Sequence, residues 1–190
     1  MAFPVAHMLV PMLCVDLYRR YLAKKRFSYW WVLLAGFIGL GPDFDIFFSV
    51  ALGLGRLSVL NYHRSFSHSL FVILALVIVA VAVYLVFSSY VKNNKKSKKT
   101  LKTARYLHYS YFALYIIAFA VFTHILLDFL DGHYRLLYPL DIVFPHINIF
   151  MGSEDVAATF DGFLLILWLV LQENVWEPII ERFNRILNLK

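Results

Sequence analysis

SLFVILALVIVAVAVYLVFSSYV, Ser69 to Val91, runs for 23 residues without one charged side chain. At about 1.5 Å per residue, a helix of this length covers the roughly 30 Å hydrocarbon core of a bilayer with some tilt to spare. The rest of the chain has the same character. Of its 190 residues, 61% are hydrophobic, 18% aromatic and only 16% charged, where an ordinary globular chain carries roughly 25% charged residues. A water-facing fold of this size has too much surface to hide so much apolar matter. The single cysteine, Cys14, closes no intrachain disulfide. Composition therefore excludes disordered, collagen-like and nucleic-acid-binding chains, despite a net charge of +6. It predicts an all-α, polytopic helical membrane protein, with 1–190 as one domain.

Further spans follow from the same reasoning. Tyr109 to about Asp128 is apolar, with its ionisable residues at the far end. Ala2 to Leu17 is interrupted by Pro4, His7 and Pro11. Tyr29 to Gly41 is short, and Pro42 ends or kinks it, with Ile46 to Leu54 apolar beyond the break. Gly162 to Trp176 is the fifth candidate. Residues 175–190 repeat apolar side chains at helical spacing (Trp176, Ile179, Ile180, Phe183) and read as an interfacial amphipathic tail. Two basic runs, Arg19 to Arg26 and the loop 92–105, hold twelve of the eighteen lysines and arginines. By the positive-inside rule both face the cytoplasm. Five crossings then put the N-terminus outside and the C-terminus inside.

Ionisable groups near a bilayer are costly, so each requires a partner or a task. His7, Asp43, Asp45, His63, Arg64, His68, His124 and Asp128 all fall at one membrane face, opposite the lysines. His124 and Asp128 are spaced i, i+4, sharing one helical face with Cβ atoms about 5–6 Å apart. Asp43 and Asp45 follow a proline; in a turn, both can reach one cavity, or one can orient a ligand histidine. Ser67 reads as a helix cap beside His68. Imidazoles with carboxylates suit a divalent metal, zinc foremost, with manganese or iron as alternatives. A bound metal would lower the pKa of a coordinated water and polarise a phosphoryl or acyl oxygen. His108, His133 and His146 read first as ordinary hydrogen-bonded residues, with His133, five residues past Asp128, as a further candidate for the site. Asp131 reads as a cap or an additional ligand.

The ordered series His7, Pro42-Asp43-Phe44-Asp45, His63-Arg64-x-x-Ser67-His68-Ser69, His124-x-x-x-Asp128 and Arg135-Leu136-Leu137-Tyr138-Pro139 resembles the YdjM family. These are prokaryotic inner-membrane proteins described as membrane-bound metal-dependent hydrolases, some under the DNA-damage repressor LexA. The resemblance covers about residues 1–140. That family is in turn distantly similar to the zinc-dependent phospholipase C and P1 nuclease group, whose helical enzymes cleave phosphate esters at His/Asp-bound zinc. Two departures stand out. The chain begins with Met1, so the N-terminal ligand of that group is absent or replaced by His7. The later His-x-x-x-Glu pair is also missing, which favours one or two metal ions over three.

The expected function is hydrolysis of an ester, foremost a phosphoester of a lipid or membrane-proximal molecule, by a metal-activated water. The expected metal ligands are His7, Asp43, Asp45, His63, His68, His124 and Asp128. Asp45 could instead be a base or an orienting group, and Arg64 would hold substrate phosphate. The expected partners are membrane lipids and the substrate, with no nucleic acid. The expected location is the prokaryotic plasma membrane, with the site near its outer face. The rival readings are a metal-ion or proton transporter and a non-catalytic scaffold with a structural metal.

Overall fold

Ser69 begins the helix that carries the uncharged run and caps it, its side chain accepting from the Phe71 N–H at 3.2 Å. The computed structural model describes residues 4–53, 66–94, 98–132, 135–140, 142, 144–145, 148–149, 153–172 and 182. Among them the regular elements are helical: α1 Pro4–Leu17, α2 Trp30–Gly39, α3 Phe44–Ala51, α4 Leu70–Asn93, α5 Lys98–Leu130 and α6 Glu154–Leu171. A five-residue π turn, Tyr18–Leu22, extends α1, and a 3-10 turn, Gly41–Asp43, joins α2 to α3.

The expectation of five crossings is corrected by helix length and charge. Among the described residues, two helices are long and apolar enough to cross a membrane: α4, with 24 residues and mean hydropathy 3.3, and α5, with 33 residues and mean hydropathy 2.1. The 14 residues of α1 reach about 21 Å and the 10 of α2 about 15 Å, short of the roughly 30 Å core. Helix α6 has 18 residues but carries Glu154, Asp155 and Asp161. The stretch 92–105, expected as a loop, is helical over Lys92–Asn93 and again over Lys98–Arg105, where it forms the first turns of α5. The tail 175–190, apart from Arg182, lies outside the described residues, as do His63, Arg64, His133 and His146.

Helix α1 is the hub. Its buried Ala6, Leu9, Met12, Leu13 and Val15 pack with Val32 and Ala35 of α2, Ile116 and Leu127 of α5, and Ala157 and Leu164 of α6. Glycines set the α1–α2 approach. A β-carbon on Gly39 would overlap the His7 carbonyl oxygen and lie 2.8 Å from Pro11 Cγ, whereas one on Gly36 would meet the flexible Met12 side chain. Pro11 cannot donate the i→i−4 bond to that same His7 carbonyl, which leaves the α1 backbone open where Gly39 packs.

Polar contacts tie the ends of α1 to α6. Asp161 accepts the Ala6 N–H at 2.8 Å, satisfying one of the donors left over at the start of α1. At the other end, Arg20 donates to the last carbonyl of α6, Leu171, at 2.7 Å and pairs with buried Asp16 at 2.6 Å. By contrast α4 lies along α5 and leaves Leu74, Ile78, Val79, Leu85 and Val86 exposed. In water this would be an apolar patch beyond what monomeric soluble proteins show; in lipid it is the solvated face.

Candidate metal centre

Three helix ends and one helix interior meet where α1 starts, α2 stops and α4 starts. Helix α2 ends at Gly39, and its terminal carbonyl needs a donor. The Nδ1–H of His124, from α5, donates to it at 2.7 Å. A carbonyl can only accept, so a proton sits on Nδ1 and Nε2 points the other way, into the cluster. His68, just before α4, is held similarly. Its Nδ1 lies 3.0 Å from Ser67 Oγ, which donates to Asp45 Oδ2 at 2.6 Å. This chain, His68 to Ser67 to Asp45, also directs Nε2 inward. The reading of Ser67 as a helix cap is corrected: Ser69 caps α4, and its hydroxyl donates to the Tyr138 carbonyl at 2.7 Å while Leu70 N–H donates to Leu136 O at 2.9 Å. The Arg135–Pro139 segment is thereby fastened beside His68.

The two Nε2 atoms lie 3.1 Å apart. Around them, Asp128 Oδ2 is 3.2 Å from His68 Nε2 and 3.6 Å from His124 Nε2. Asp43 Oδ1 is 3.5 Å from both imidazoles. His7 places its Nε2 3.7 Å from Asp128 Oδ1 and lays its ring against that of His124, with centroids 4.0 Å apart. His68 and His124 are fully buried, and His7 and Asp128 are 3% exposed. Two triads, His7–Asp43–His124 and His68–His124–Asp128, have donor atoms within 4.8 Å of one another.

These separations fit a cation. Ligands at about 2.0–2.1 Å around a tetrahedral zinc ion stand roughly 3.3 Å from each other, and the imidazole–imidazole and imidazole–carboxylate separations here, 3.1 to 3.7 Å, bracket that value. Three neutral imidazoles with two carboxylates carry two negative charges, matched by one divalent ion. Facing lone pairs and carboxylate oxygens in a buried pocket repel unless a proton or a metal stands between them. The protein's own charges already lean this way. Burial would raise the Asp43 carboxyl, but contacts to His124 and His68 outweigh it and hold it well below the usual carboxylate range. Burial would lower His68, but Asp128 and Asp43 outweigh it and push the imidazole above its ordinary value.

Five of the seven expected ligands, His7, Asp43, His68, His124 and Asp128, converge in this cluster. Asp45 sits one step outside it, 3.6 Å from His68 Nδ1 and bonded to Ser67. His63 and Arg64 lie outside the described residues. Residue spacing did not reveal the part of Ser67 or of the Gly39 carbonyl. The cluster opens on the side of Asp43 and Asp45, whose side chains are 31% and 19% exposed. A family model described as YdjM inner membrane protein matches residues 1–178. No curated protein and no solved structure matches the chain.

Proposed function

The chain belongs to the YdjM inner membrane protein family, and we propose that it is a membrane-bound hydrolase that uses a divalent metal to cleave an ester, foremost a phosphoester of a lipid or membrane-proximal molecule. The observation that carries this reading is the convergence of His68 Nε2, His124 Nε2, Asp43 and Asp128 at ligand-to-ligand spacing. His7, Asp43, His68, His124 and Asp128 would hold the ion, zinc foremost. When bound, it supplies Lewis acidity and an activated water.

The chain's own residues do the rest. The Gly39 carbonyl and Ser67 fix which ring nitrogens carry protons, so the lone pairs stay aimed at the ion. Asp45, at the exposed edge, orients His68 through Ser67 and is positioned to take a proton from an incoming nucleophile. Arg64 is assigned to the substrate phosphate, whose charge its planar fork matches. In the same reading the basic runs face the cytoplasm and the metal centre the opposite leaflet.

A second reading, a metal that only staples the helices, draws support from the near-complete burial of His7, His68 and His124. Hydrolysis separates the two. Zinc-loaded protein in detergent is assayed on a generic phosphodiester, a phosphomonoester and a carboxyl ester, beside His124→Ala and Asp45→Asn. Turnover that chelation and both variants abolish supports the hydrolase. Metal-dependent stability without turnover on any of the three supports the staple.

A further inference from the structure

The end of the molecule that carries the basic runs takes no part in the histidine cluster. His108 precedes His124 on α5 by 16 residues, about 24 Å along the helix. Two cavities meet at this end. One, of about 420 Å³, lies between α1 and α5 and is walled by apolar and aromatic side chains that include Cys14, Val15, Ile116 and Phe119. The other, of about 520 Å³, is rimmed by Lys24, Lys25 and Arg26, with Trp31 and Tyr109 beside them. Tyr18, Phe27 and Phe112 belong to both walls, so the two cavities adjoin, a cationic mouth next to an apolar floor, and together they are called the groove.

Three features specify what would fill it. First, Lys24, Lys25 and Arg26 are exposed, and no carboxylate of the described residues pairs with them. Neighbouring Arg19 and Arg20 are instead bound to Asp16, at 3.0 and 2.6 Å, so the mouth keeps three uncompensated positive charges. Second, Trp31 and Tyr109 stand at the mouth, the place amphipathic aromatic rings take at a membrane–water boundary. Third, the groove has the length of one leaflet. Tyr109 at the mouth and Phe119 on the floor are ten residues apart on α5, about 15 Å, half of the roughly 30 Å hydrocarbon core.

We propose that this groove is a binding site for an anionic phospholipid. Its headgroup phosphate lies among Lys24, Lys25 and Arg26, and one acyl chain lies between α1 and α5 past Cys14. A soluble phosphate would use the mouth alone and leave the floor bare. A zwitterionic lipid would bring its own cation against the three basic residues. The site is independent of the metal centre and uses none of its residues.

Cys14 is the chain's only cysteine and is exposed on the groove wall, so it reports occupancy directly. Full-length protein in a neutral detergent is treated with N-ethylmaleimide, alone or with phosphatidylglycerol, phosphatidylcholine or glycerol phosphate. Bound lipid is counted in parallel by native mass spectrometry. Phosphatidylglycerol should slow Cys14 alkylation and remain bound, on the order of tenfold or more in preference to phosphatidylcholine, because each basic residue near an anionic headgroup contributes about a factor of five. Glycerol phosphate should give no protection. The triple variant K24Q/K25Q/R26Q should lose both effects, and the charge-preserving K24R/K25R/R26K should keep them. Equal protection by both lipids, protection by glycerol phosphate, or no change in Cys14 alkylation in the native protein would each overturn the proposal.

Discussion

His124 does two jobs with one ring. Its Nδ1–H satisfies the end of α2, and its Nε2 faces His68 and both carboxylates. Ser67 and Asp45 do for His68 what the Gly39 carbonyl does for His124. Groups that orient a ligand imidazole in this way usually change metal affinity by about 10–100-fold when removed. Ser67→Ala and Asp45→Asn should therefore each weaken zinc binding within that range, measured by competition with a chromogenic chelator, and leave helix content unchanged. Much of this cluster is legible in the sequence. His124 and Asp128 are one helical turn apart, and His7, Asp43 and His68 were expected at the same end. The partners of the ring nitrogens were not legible. A serine before an apolar run has the pattern of a cap, and a backbone carbonyl carries no sequence signal. Five crossings are too many, because α1 and α2 are short helices folded against α5.

Among the elements, the junction of α1 and α2 bears most directly on the centre. Gly39 packs against the His7 carbonyl and Pro11 with no room for a side chain. Gly39→Ala should cost about 1–3 kcal/mol by overpacking and should weaken zinc binding, because it displaces His7 and the carbonyl that holds His124. Gly36→Ala meets only the Met12 and Met8 side chains and should be milder on both counts. Thermal unfolding in detergent and the chelator competition would measure the pair, and equal effects would count against this account. Element boundaries followed the chemistry of their ends. The run from Ser69 to Val91 became Leu70–Asn93 almost unchanged, since nothing but apolar residues decides it. Helix α5 begins at Lys98, earlier than hydropathy suggested, because its first turns are lysine-rich. Helix α6 begins at Glu154 behind a Ser153 cap, and its acidic first turn concealed it from an apolar reading.

At the scale of the whole molecule, the centre ties pH to stability. With a chelator present, the contribution of His68, whose pKa is raised, is complete below the ordinary imidazole value and is lost as pH climbs through the raised one. That of Asp43, whose pKa is lowered, is complete above the ordinary carboxylate range and is lost as pH falls through the lowered value. Stability without metal should thus be greatest between the ordinary carboxylate range and the ordinary imidazole value, and decline as pH climbs above the latter. With zinc the alkaline decline should reverse, since a metal competes with protons for the same imidazoles. At a hundredfold excess over its dissociation constant, bound zinc should raise Tm by about 5–10 °C. Superimposable profiles with and without zinc would contradict this. The most direct test of the central claim is elemental analysis of the full chain, purified in detergent without added metal or chelator, beside His68→Ala and Asp128→Ala. The account predicts at least one divalent transition-metal ion per chain in the native protein and its loss in both variants. Native protein that carries no stoichiometric metal and takes up none when zinc is offered would contradict it.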